Sequence, residues 1–147
     1  MRVDPTAPRP VRYGSQPARP GADLKTAAVI AELQRRDREV RAHEAAHAAA
    51  GGGLVRGGPS FRYVRGPDGR PYAVAGEVQI DTSPARDPET TIAKMETVRR
   101  AALAPARPSS QDLAVAARAA QEEARARVEL LQHPGDGRAG ARIDVTA

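Results

Sequence analysis

The chain has 147 residues, enough for one domain and not comfortably for two, and its 23 Lys and Arg against 18 Asp and Glu give a net charge of +5. With no cysteine, no tryptophan, one phenylalanine and three tyrosines, it can form neither disulfides nor a thiolate metal site, and its core must be built from small aliphatic side chains. Such a core is marginal for this length, so a bound metal or a partner chain, a second copy included, is expected to stabilise it.

Residues 1–22 contain Pro5, Pro8, Pro10, Pro17 and Pro20 and few apolar residues. They read as a disordered Pro/Arg-rich arm. Neither a secretory leader nor a membrane-spanning run is evident, which points to a cytoplasmic protein. A domain is expected over residues 23–132, opening with a long helix capped by Asp23, "DLKTAAVIAELQRRDREVRAHEAAHAAA". Val29, Leu33, Val40, His43 and His47 fall along one stripe of that helix. Gly51 to Gly53 end it, because glycine readily takes the left-handed conformation found at helix C-termini.

Two β-type runs follow, "FRYV" and "YAVAGEVQI", separated by "RGPDGRP". Pro-Asp-Gly is a turn signal, so a hairpin is expected, with its second strand continuing towards Asp81. A helix starting near Asp87 or Pro88 covers "PETTIAKMETVRRAAL". After "APARPSS", Ser109 or Ser110 caps a last helix, "SQDLAVAARAAQEEARARVELLQ". Residues 133–147 read as a flexible tail. The fold class expected is therefore α+β: a small, mainly helical domain with a long first helix, a β-hairpin and two C-terminal helices.

The chemistry concentrates in His43-Glu44-Ala45-Ala46-His47. Histidines at i and i+4 leave a helix from the same face, which suits two imidazoles on one Zn²⁺. A glutamate directly after the first histidine lies beside the metal's open position. There it can act as general base on a zinc-bound water.

With this motif in view, the chain resembles the SprA-related family of bacterial metalloproteases. The stretches "EVRAHEAAHAAAGG", "GGPSFRYVRGPDGRPYAVAGEVQIDTSP", "DPETTIAKMETVRRAALAPARPSSQDLAVAA" and "RAAQEEARARVEL" carry the likeness. It implies a zincin-like fold and zinc-dependent hydrolysis of a peptide or protein substrate. The Gly-Gly-Glu characteristic of the family stands here as Ala75-Gly76-Glu77, which keeps the glutamate but disfavours a close backbone approach at residue 75.

A third ligand is needed beside His43 and His47. Glu77 is the first candidate, because a carboxylate in an otherwise apolar strand is costly unless paired or metal-bound. On strict alternation it shares a face with Ala73, Ala75 and Gln79, unless Gly76 marks a bulge. Asp81, Glu96 and His133 are alternatives; their simpler readings are a turn bond, a surface ion pair and a helix C-terminal residue. Tyr63 and Tyr72 have the chemistry of an oxyanion stabiliser, although strand tyrosines more often pack across the pair.

The function expected is a zinc endopeptidase with Glu44 as its base. A non-catalytic, metal-stabilised interaction module is the alternative. Arginines interspersed with acids, and the lack of clustered aromatics, count against nucleic-acid binding.

Overall fold

Alanine, arginine and glutamate dominate Pro20–Gly51, and these strong helix formers make a single 32-residue helix, α1. At 1.5 Å per residue it is about 48 Å long. The computed structural model describes residues 20–133. Residues 1–19 of the expected arm and the tail beyond His133 lie outside the described residues. Residues 20–22, also assigned to the arm from sequence, belong to α1, so Asp23 stands in its first turn instead of capping it. Proline suits a first turn because the N–H it lacks has no helical partner there.

Residues 23–32 of α1 are exposed apart from half-buried Ile30. Val29 is 48% exposed and does not extend the stripe; burial is concentrated at Glu44, His47 and Gly51. A 3-10 turn over Gly52–Leu54 follows, with Gly52 at a positive φ of 50°.

Two strands, β1 (Ser60–Arg65) and β2 (Pro71–Glu77), form the expected antiparallel hairpin. Its turn is closed by Gly66 N–H donating to the Arg70 carbonyl at 2.8 Å and Gly69 N–H to that of Gly66 at 2.9 Å. The pairing steps from Arg62 opposite Ala75 to Tyr63 opposite Ala73, leaving Val74 without a partner. This bulge turns backbone groups towards α1. Arg36 Nε donates to the Val74 carbonyl at 3.0 Å, and Asp37 Oδ1 accepts from Ala73 N–H at 2.8 Å.

The second strand does not run on to Asp81 as expected. It leaves β1 after Glu77, and Ile80 instead bridges Val55, the residue just after the 3-10 turn. Arg56 N–H donates to the Gln79 carbonyl and Asp81 N–H to that of Leu54, each at 2.8 Å.

Asp87 caps α2 (Pro88–Ala102), accepting from Thr90 N–H at 2.8 Å, with Pro88 in the first turn as read from sequence. Ser109 caps α3 (Ser110–Gln132) in a reciprocal capping box with Asp112. α3 packs chiefly on α2, while α1 packs on β2 and α2.

Met95, Val98 and Ala119 make the centre of the core, with Leu54, Ile80 and Val115 against it. Ala101, Ala102, Ala116 and Ala126 let the helices approach closely. Glu123 is fully buried among them, and Arg127 and Arg99 reach its two oxygens at 2.5 and 3.5 Å. The architecture is the α+β, mainly helical one expected. Among the described residues, no helix is long and apolar enough to cross a membrane.

Candidate metal centre

Three helices bring their chemistry to one point. α1 carries His43 and His47 on its buried side. The C-terminal turn of α2 offers a carbonyl there, because the last turn of a helix leaves its C=O groups without intrahelical partners. The N-terminal turn of α3 presents Asp112, where the helix dipole favours a carboxylate. The short connection of residues 103–109 holds the last two elements together at this place.

His43 Nε2 and His47 Nε2 face each other at 3.1 Å. Asp112 Oδ2 lies 3.3 Å from the first and Asp112 Oδ1 3.2 Å from the second. These nitrogen–nitrogen and nitrogen–oxygen spacings are close to the edge of a tetrahedron with arms of about 2.0 Å, roughly 3.3 Å, and one ligand atom from each of the three residues lies within 4.8 Å of the other two. The donor set of two imidazoles and a carboxylate also fits zinc.

The orientation of His47 follows from its second nitrogen. Nδ1 lies 2.9 Å from the Ala101 carbonyl oxygen, in the last turn of α2. A carbonyl only accepts, so Nδ1 carries a proton, and Nε2 is the nitrogen turned to the centre. This is the outer-sphere support that metal-binding histidines ordinarily have.

Asp112 is held as firmly. Its Oδ2 accepts from Ser109 N–H at 2.6 Å, and Ser109 Oγ accepts from Asp112 N–H at 3.1 Å. Burial works to raise its carboxyl pKa. The hydrogen bonds from Ser109 and the neighbouring His47 and His43 outweigh burial and hold the pKa below the ordinary value.

Glu44 is 4% exposed and lines the same hollow as the trio. Burial pushes its pKa up; the imidazoles of His43 and His47 oppose the shift, and Asp112 and Glu77 reinforce it. Its side chain rests on Gly76, where an added Cβ would stand 2.6 Å from Glu44 Cγ.

The other residues singled out from sequence lie elsewhere. Glu77 is the last residue of β2, exposed at the rim of the hollow and outside the trio. The strand around it is not buried on both faces, so the desolvation argument for it as a ligand has no force. Asp81 is held by Arg56 and Lys94, each at 3.0 Å, and by the Ser83 hydroxyl at 2.6 Å. Glu96 faces Arg127 on the surface at 3.4 Å. His133 is the exposed C-cap of α3, at the end opposite Asp112.

Neither tyrosine is placed for oxyanion stabilisation. The Tyr72 hydroxyl donates to Asp68 Oδ2 at 2.6 Å beside the hairpin turn, and 48%-exposed Tyr63 lies under the Arg41 guanidinium, 5.8 Å from its ring centre. Asp112 had one signal in the sequence, its place three residues after Ser109, and that signal is fully accounted for by capping.

The SprA-related family model matches residues 9–134. No curated protein and no solved structure matches the chain.

Proposed function

The chain belongs to the SprA-related family, and from the side chains gathered on its first helix we propose that it is a zinc-dependent endopeptidase. His43, His47 and Asp112 would hold the metal, with Glu44 as general base. One observation carries this reading: the two imidazole nitrogens lie 3.1 Å apart and each has its own oxygen of Asp112 beside it, at 3.3 Å from His43 and 3.2 Å from His47, with a buried glutamate alongside. Asp112 replaces Glu77 as third ligand because its oxygens already stand at ligand spacing from both imidazoles.

Zinc, when bound, supplies Lewis acidity that polarises a carbonyl and lowers the pKa of water towards neutrality. The protein contributes position and proton handling. His47 is locked as the Nδ1–H tautomer by Ala101 and Asp112 is fixed by Ser109, so neither ligand has to reorganise. Glu44, its affinity for a proton raised by burial, takes a proton from water in the hollow onto a carboxylate oxygen and returns it to the departing amine. Gly76 supplies the room in which that carboxylate sits.

The deciding comparison is Glu44→Gln against the unmodified protein on an unfolded protein substrate. The variant should retain zinc and lose about a thousandfold or more in hydrolysis. The second reading, a metal-stabilised interaction module, draws on exposed Leu113, Val128 and Leu131 along α3. In that case Glu44→Gln changes nothing measurable, and neither form cleaves.

A further inference from the structure

Three hollows adjoin the candidate centre and share lining residues. The middle one, about 180 Å³, is walled by His43, Glu44, His47 and Asp112. A larger one of about 680 Å³ shares His43, Glu44 and Gly76 with it and continues between α1 and residues 105–107. On the other side a hollow of about 630 Å³ shares Glu77, Thr82 and Gln111 with it and continues to Arg56.

The two flanks differ in charge. Beyond Gln111 the cations are answered: Arg56 and Lys94 both lie on Asp81, and Glu77 adds a negative charge. On the α1 flank, Val40, Ala46, Ala75 and Pro105 give an apolar floor. Arg35, Arg36 and Arg107 rim it. Arg35 lies between Glu32 and Glu39, whose two negative charges exceed its one, so with Arg36 and Arg107 the rim carries three positive charges against two negative. Arg36 spends its Nε on the Val74 carbonyl, and among the described residues neither it nor Arg107 takes part in an ion pair. Arg107 is also presented on a stiff support, since buried Pro105 and half-buried Pro108 fix the backbone on both sides of it.

We propose that this flank selects an acidic stretch of a polypeptide substrate. An aliphatic side chain beside the cleaved bond rests on the apolar floor, and an Asp or Glu carboxylate a residue or two further along meets the Arg36 and Arg107 rim. A guanidinium beside a carboxylate makes charge-assisted hydrogen bonds, and a cleft with apolar walls strengthens their attraction. The proposal rests on the peptidase reading above and adds the class of sequence that the enzyme takes.

The test uses a blocked, fluorescein-labelled Leu/Ala peptide carrying glutamates, and its counterpart with lysines at the same positions. Anisotropy is measured on the Glu44→Gln protein, so that binding is read without turnover, while the unmodified protein is given the same peptides and the products are weighed. The glutamate peptide should bind about tenfold more tightly, in a salt-dependent way. Arg107→Gln should remove part of that preference and Arg107→Glu most of it. Equal affinity for the two peptides, or a preference untouched by either substitution, overturns the proposal. Preference in binding with no cleavage sinks the peptidase reading and leaves the acidic groove standing; cleavage without preference does the reverse.

Discussion

Gly76 lies directly against Glu44: a methyl group at position 76 would stand 2.6 Å from Glu44 Cγ and 2.9 Å from its Oε1. The glycine of β2 and the glutamate of α1 are thus fitted to each other. The strand acts as a wall that fixes where the Glu44 carboxylate can be.

Gly76→Ala should therefore displace the Glu44 carboxylate without touching a ligand. We expect zinc content to stay at the unmodified level while kcat falls about a hundredfold, the scale of a small misplacement at a reacting centre. Kinetics beside metal analysis decide it. Unchanged kcat would mean that Glu44 can shift without consequence, contrary to the role assigned to it.

Ser109 and Asp112 separate capping from metal binding. Ser109→Ala removes the cap and should cost about 1 kcal/mol in a urea titration while zinc is retained. Asp112→Asn keeps a side chain able to accept from the cap but loses the carboxylate charge. It should lose zinc even where the stability cost is similar.

Removal of the metal should lower thermal stability. The apolar core is mostly alanine around Met95 and Val98, so a metal held between α1 and α3 as proposed would contribute a large share of the total. Chelation should lower Tm by about 5 °C or more, and excess zinc should restore it. Glu44→Gln, which leaves all three ligands in place, should respond to chelator in the same way.

Asp81 makes a pH prediction. The Ser83 hydroxyl, then Arg56 and Lys94, hold its carboxyl well below the ordinary carboxylate range. A pKa depressed in the folded state contributes stability that is fully present above the unfolded value, about 3.9. That stability is lost as pH falls from there through the folded value. Asp81→Asn should be the less stable protein at pH 7 by urea titration, with the difference shrinking below about pH 4 and at high salt. A constant difference across this range would mean that its charge is not what matters.

The parts of the site carried by local spacing were legible in the sequence. His43 and His47 share a face because helical periodicity requires it, with Glu44 next to them on the same turn, and Asp87 and Ser109 cap their helices through residue types suited to that task. Asp112 was hidden. The loop at residues 103–109 folds it onto α1 from 65 residues beyond His47, and its capping role already explained an aspartate there. The sequence favours Glu77 only if the strand around it is long and buried, whereas β2 is bulged at Val74 and ends at Glu77. The family's glycine pair drew attention to Ala75, but the close approach is at Gly76; Ala75 lines the neighbouring hollow.

The most direct test of the account is zinc content by mass spectrometry, on protein purified without chelator or affinity-tag metal, beside His47→Ala, Asp112→Asn and Glu77→Gln. About one zinc per chain is expected, lost with His47 or Asp112 and kept without Glu77. A folded protein free of zinc, or zinc that survives Asp112→Asn and departs with Glu77→Gln, would contradict it.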